Sequence, residues 1–121
     1  MSGINKVILV GHIGKDPDFR TIADGVPVIS FPLVTTEFLN KNGIKTEVSE
    51  WHNVTMWRTL AEAGARQLKK GLLVYLEGKL KTRSFLDKEG IKRYVTEIAA
   101  DQFIPLASLG DLVPSPEKII G

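Results

Sequence analysis

With 121 residues, 43% hydrophobic and 25% charged, the chain has the size and balance of one globular domain with a real core. It contains no cysteine, which excludes a disulfide framework and thiolate chemistry, and no run reaches the roughly 18 apolar residues of a membrane span. The formal charge is only +2, and Met1-Ser2-Gly3-Ile4-Asn5-Lys6 lacks the pattern of a secretory signal, so a reducing, cytoplasmic setting is expected, with no membrane partner.

Ile4 to Gly14 reads as a strand. Its Val7-Ile8-Leu9-Val10 puts aliphatic side chains on both faces, one for the domain's own core and one for a partner sheet or subunit. Asp16-Pro17-Asp18 is a turn, and Asp24-Gly25 closes a hairpin after the short Phe19-Arg20-Thr21-Ile22 segment. Val26 to Phe38 is a second long strand, where Pro27 and Pro32 lack an N–H and favour an edge or a bend. Asn40-Lys41-Asn42-Gly43 marks an exposed loop, and a third strand runs from about Val48 to Trp57. Thr59 and Glu62 then have the spacing of a capping box, while Leu60, Gly64 and Leu68, with Ala61 and Ala65, form a narrow apolar stripe. A helix is expected there, stopped by Gly71 and packed closely against something such as a barrel end. Leu72 to Phe85 is a fourth strand and Arg93 to Ala100 a fifth, joined through Asp87-Lys88-Glu89-Gly90. Phe103 to Leu106 reads as a docking segment, and Pro114 and Pro116 mark a loose end.

This order predicts an all-β fold with one helix, the oligonucleotide/oligosaccharide-binding (OB) fold, a five-stranded Greek-key barrel with its helix between strands three and four. Ubiquitin-like and other α+β arrangements share parts of the same order. The domain is expected over residues 1–106, followed by a short flexible tail over residues 107–121.

The candidate site starts from Glu50-Trp51-His52-Asn53-Val54-Thr55-Met56-Trp57. Alternation along a strand puts Trp51, Asn53, Thr55 and Trp57 on one face, with His52, Val54 and Met56 on the other. Small polar groups lie between the two rings, where a core-facing strand would carry aliphatic ones. The fourth strand repeats the theme, with Lys79, Lys81, Arg83 and Phe85 along a single face. From Arg66 to Arg93 nine basic residues face three acids, a local surplus of six. Cations alone attract any polyanion, and rings alone are more often core. Interleaved, they suit unpaired nucleobases stacked on rings while cations follow the phosphates.

Other chemistry finds little support. Gly11-His12-Ile13-Gly14-Lys15 fails the phosphate-loop pattern at Leu9 and at Asp16. His12 and His52 have no cysteine or carboxylate at metal-ligand spacing, so neither a metal nor another cofactor is implied. No nucleophile–base pair can be assembled, and the chain is not expected to be an enzyme.

Several motifs resemble the bacterial single-stranded DNA-binding protein (SSB) family: Asn5-Lys6-Val7-Ile8-Leu9-Val10-Gly11, Gly14 with Asp16-Pro17, Glu50-Trp51-His52, Leu60-Ala61-Glu62, Val74-Tyr75-Leu76-Glu77-Gly78 and Thr82-Arg83. The resemblance covers roughly residues 4 to 100. It implies an OB-fold homotetramer, a dimer of dimers, that binds single-stranded DNA without sequence preference in replication, recombination and repair, associated with the nucleoid. It also implies base stacking on Trp51, Trp57 and Phe85, with Phe38 supplying a fourth ring. Phosphate contacts are implied at Arg20, Lys45, Asn53, Arg58, Lys79, Lys81, Arg83 and Arg93. Subunit contacts fall on Val7, Leu9, His52 and Tyr75. Family members continue into a linker with an acidic tip that recruits replication and repair proteins. This sequence stops at Pro116-Glu117-Lys118-Ile119-Ile120-Gly121, so recruitment through such a tip is not expected of it. Two other readings stay open: an OB-fold protein-interaction module of the primosome type, and a binder of single-stranded RNA.

Overall fold

Long runs of β-branched and aromatic residues, broken by tight turns, give this chain strands up to seventeen residues long. The structure, a computed structural model, describes residues 2–108. In chain order it contains β1 (Val7–Ile13), β2 (Asp18–Ile22), β3 (Val26–Lys41), β4 (Ile44–Trp57), α1 (Thr59–Gln67), β5 (Leu72–Leu86) and β6 (Lys92–Ser108).

β1 pairs antiparallel with β5 and, at His12 and Ile13, with β3. β3 pairs with β4 and β5 with β6, both antiparallel, and two parallel partners, Val54–Ile98 and Thr55–Ala99, join β4 to β6. The circuit β1–β3–β4–β6–β5–β1 is therefore closed, which gives the expected five-stranded barrel with one helix, and β2 is added alongside β3. Closure leaves the barrel strands no free edge where the ring is complete. Alternate residues point inward, so Ile13, Ile29, Phe31, Leu33, Val54, Met56, Val74, Leu76 and Ile98 form one core. α1 packs against β3 and β4 through buried Ala61 and Gly64. A Cβ on Gly64 would lie 2.6 Å from Met56 Cε, which is why a glycine stands in the middle of this helix.

The two prolines of β3 lie where its ladders change. Pro32 comes between the stretch of β3 paired to β2 and the stretch paired to β1, and its carbonyl accepts from Gly14 N. Pro27 lies just past the end of the β4 ladder, where its carbonyl accepts from Arg58 N. Neither missing N–H interrupts a pairing.

The structure departs from the sequence reading in several places, and α1 ends at Gln67 with Leu68 extended, short of the expected stop at Gly71. The Asn40–Gly43 loop is a two-residue turn: Asn42 and Gly43 both have positive φ, 52° and 80°, so β3 and β4 run on as a long arm beyond the barrel. The capping box does not form. Arg58 is the N-cap, with φ 60° and no side-chain cap, because β4 turns straight into α1 while Arg58 N is held by Pro27 O. Phe103 to Leu106 is not a separate docking segment but a continuation of β6, which pairs with β5 as far as Ser108. Of the tail expected from residue 107, residues 109–121 lie outside the described residues.

Candidate nucleic-acid interface

Antiparallel partners share a sheet face, so the ladder registers settle which side chains stand together. In the β3–β4 pair, Val28 faces Trp57, Pro32 faces Asn53, Val34 faces Trp51, Phe38 faces Glu47 and Asn40 faces Lys45. Trp51, Trp57, Asn53, Phe38 and Lys45 are thus on one face, away from the core-facing Val54 and Met56. The rings are open: Phe38 is 64% exposed, Trp51 61%, Trp57 47% and Phe85 46%. Lys45 Nζ lies 5.4 Å from the centre of the Phe38 ring, a cation–π distance. The parallel Thr55–Ala99 pairing carries the same outer face onto β6 and then β5, where Lys79, Lys81, Arg83 and Phe85 face Ala99, Glu97, Val95 and Arg93. Arg20, on β2, completes a row with Val28 and Trp57. Arg58 is exposed at the start of α1.

Trp57 divides two grooves. One, of about 470 Å³, is lined by Trp57, Leu60, Lys79, Lys81 and Asp101 among others. The second, of about 340 Å³, is lined by Arg20, Ser30, Thr55, Trp57, Arg83 and Glu97, with Ile22 and Val28. Trp51 lies over Gly14, where an added Cβ would come within 2.3 Å of its Cζ3. Gly14, the residue that follows β1, is therefore a seat for that ring.

The basic groups fall into two sets. Arg83 is paired with Glu97 and Arg93 with Asp87, each at 2.9 Å, and Arg20 is paired with Asp18. Among the described residues, Lys45, Lys79, Lys81 and Arg58 have no carboxylate within ion-pair distance. Asp87 also accepts the N–H groups of Glu89 and Ile91, at 2.9 Å each. The Ile91 N–H, the Arg93 guanidinium and the Glu89 N–H together hold its carboxyl below the usual aspartate range.

The four expected subunit-contact residues are spread over two regions. Val7 and Leu9 are partly buried and pack against the core, so the outward side chains of β1 are Ile8 and Val10, 56% and 49% exposed. His52 Nε2 lies 2.9 Å from Thr35 Oγ1. Tyr75 is opposite Val10, and its hydroxyl donates to Glu77, which also meets Lys6 Nζ at 2.7 Å. Hydrogen bonds from Lys6 and then Tyr75 hold the Glu77 carboxyl low, and the bond to Glu77 raises the Tyr75 hydroxyl.

Sequence reasoning missed Gly14, Glu97 and Asp87 because their roles depend on contacts across strands or turns. It also passed over Tyr94, which is 68% exposed with Lys92 Nζ 5.7 Å from its ring centre. Tyr94 pairs with Ser84, so it is on the opposite side of the arm from Phe85. Alternation from Arg93 onward would have separated the two.

A closed barrel of five strands with one helix, bearing open rings and cations on its outer sheet face and arms, defines an OB-fold binding module. Residues 4–106 match the Single-strand binding protein family, and the chain belongs to that family. It is 46% identical over 100 residues to a single-stranded DNA-binding protein of Neisseria meningitidis, covering 82% of this chain and 58% of that one. It is 48% identical over 98 residues to single-stranded DNA-binding protein 1 of Chlorobaculum tepidum, covering 79% and 60% respectively. The chain thus spans about three fifths of the length of these relatives. A solved complex of Plasmodium falciparum SSB with ssDNA has a similar fold, with TM-score 0.80 and 26% identity over 88% of this chain and 97% of that one.

Proposed function

We propose that this chain binds single-stranded DNA without regard to sequence, as a non-enzymatic coat over unpaired strands in replication, recombination and repair, on the nucleoid in the cytoplasm. The reading is carried by one observation: Phe38, Trp51, Trp57 and Phe85 stand open on one continuous face with Lys45, Lys79 and Lys81 among them. Stacking of a base on a ring contributes about 1–3 kcal/mol and is indifferent to which base it is. The lysines, with Arg20, Arg58, Arg83, Arg93 and the Asn53 amide, run along the phosphates and release counterions. A duplex keeps its bases stacked on each other and offers none to the rings. The similarity to the Plasmodium falciparum complex supports the same ligand class.

The test is a titration of the intrinsic tryptophan emission with oligo-dT, oligo-U and duplex DNA. Strong quenching by oligo-dT, with log affinity falling against log salt by about 0.7 per phosphate neutralised, is the expected result. Quenching by duplex as strong as by oligo-dT, or none by any of the three, overturns the reading. Preference for oligo-U would redirect it to RNA, and quenching by a protein alone to the interaction-module reading.

The proposed working form is a homotetramer. Three features support a covered surface around β1. Its edge from Val7 to Gly11 is unpaired on the side away from β5, among the described residues, and such an edge is a template for a second strand. Ile8, Val10 and Ile104 stand open around the Lys6–Glu77–Tyr75 network, an apolar patch of the kind that marks an interface. His12 Nε2, buried in the groove between Val10 and Val34 with no hydrogen-bond partner among the described residues, fits a site completed by another copy.

A further inference from the structure

Acidic side chains are unexpected on a surface for a polyanion, and two of them hold arginines here. Glu97 is opposite Lys81 on the outer face, with its side chain 11% exposed, and it lines the groove beside Trp57. Asp87 closes the tip of the β5–β6 arm. Each acid grips its arginine by the same atom. Arg83 Nε donates to Glu97 Oε1 and Arg93 Nε donates to Asp87 Oδ2, both at 2.9 Å. A guanidinium held through Nε keeps both Nη groups, the outer fork suited to phosphate oxygens, unused. Arg20 differs: it meets Asp18 through Nη2, so its fork is partly occupied. Arg83 is two residues before Phe85 on the same face, and Arg93 is directly opposite Phe85, so the two forks flank that ring.

We propose that Glu97 and Asp87 are positioning residues that aim the Nη forks of Arg83 and Arg93 at the phosphates on either side of the base stacked on Phe85. The proposal rests on the single-stranded DNA reading and adds the reason that carboxylates stand within the site. A free arginine must surrender its rotamer freedom when it binds, and an arginine already held by a carboxylate has surrendered it in the unbound protein. The repulsion between carboxylate and phosphate opposes this gain, but each carboxylate is already paired with the charge of its guanidinium, and the exposed forks meet the phosphates in solvent and salt.

The test is a double-mutant cycle read by oligo-dT titration, with thermal melting of every variant to confirm folding. Glu97→Ala makes the face more positive, yet it is expected to weaken binding roughly three- to tenfold because Arg83 is released. Glu97→Gln, whose amide oxygen still accepts from Nε, recovers most of that loss. In an Arg83→Ala background, Glu97→Ala no longer weakens binding. Asp87→Asn keeps Oδ1 for the two backbone donors but turns Oδ2 into a donor, so it frees Arg93 alone and weakens binding too. Equal or tighter binding by Glu97→Ala overturns the proposal, as does a loss in Glu97→Gln as large as in Glu97→Ala. A loss that persists undiminished in the Arg83→Ala background also overturns it, and unchanged or tighter binding by Asp87→Asn overturns the Arg93 half. Failure of the unaltered protein to bind oligo-dT is a separate result, which removes the binding reading itself and this proposal with it.

Discussion

Trp51 shows how much one contact can set at a site. Its ring rests where Gly14 has no Cβ, yet 61% of the residue is exposed, so it is held from below and free above. Gly14→Ala places a methyl group 2.3 Å from Cζ3. An exposed ring can yield into solvent, so melting is expected to change little. Binding of oligo-dT should weaken by up to one stacking contribution, about 1–3 kcal/mol, and the quenching amplitude should fall with it. A variant that melts far lower but quenches fully would show Gly14 to be a packing residue only. The tryptophans were legible in the sequence because alternation fixes their face in any strand. Gly14 was not, since its purpose lies in a ring thirty-seven residues further on.

At the scale of the element, the site depends on two hairpin arms that leave the barrel. Gly78 is the hinge point of one: it lies at a register shift between β5 and β6, and a Cβ there would be 2.3 Å from the Ala99 carbonyl oxygen. Backbone cannot swing aside as a side chain does. Gly78→Ala is expected to cost about 3 kcal/mol or more and to lower the melting temperature by roughly 10 °C or more, measured by calorimetry or circular dichroism. Asn5 fastens the same arm, donating to Leu80 O at 2.9 Å and accepting from Leu80 N at 3.0 Å, which extends the β1–β5 ladder by a side chain. Asp87 orders the far tip. Because its carboxyl is held below the ordinary value of 3.8, its contribution is fully present above that value and is lost as pH falls through the lower, folded one. The tip is therefore insensitive to pH near neutrality. In acid, below about pH 4, the Glu89 and Ile91 amides should exchange faster, beyond the intrinsic pH effect, than those of core strands. Equal acceleration across the barrel would contradict a local role. The sequence disclosed that a hairpin lay here but left the β3–β4 arm too short. An Asn-Gly pair with two positive φ angles needs no further loop residues, and the flanking polar residues resemble a loop until the pairing is known.

At the scale of the whole molecule, the outward face of β1 is the surface that a second copy would cover. Ile8 and Val10 face outward from an edge that is unpaired among the described residues, and the proposed tetramer puts other copies there. Ile8→Arg introduces a charge into that patch without touching the core. It is expected to shift the sedimentation coefficient of the assembled protein toward that of a smaller species, while the isolated chain keeps its fold by circular dichroism. An unaltered mass would place the interface elsewhere. The Glu77 carboxyl is held low by Lys6 and Tyr75, so the network persists above its ordinary value of 4.5 and weakens as pH falls below it. Loss of assembly on acidification should accompany that titration if the network is covered by another copy.

The sequence by itself determined the order of strands and helix, the two alternating sets of side chains on each strand, and the shared face of Trp51 and Trp57. Each of these follows from a local period, two for a strand and 3.6 for a helix, and from turn chemistry within a few residues. Only the tertiary structure decided that β4 meets β6 at Val54 and Ile98, which closes the barrel and joins the tryptophan face to the Lys79–Phe85 face. It alone decided that Arg83 and Arg93 are held by Glu97 and Asp87, and that Ile8 and Val10, rather than Val7 and Leu9, look outward from β1. Alternation says that two sets of side chains are on opposite sides of a strand. Which side is covered depends on where the neighbouring strands and the helix pack, and those contacts are made across long sequence separations.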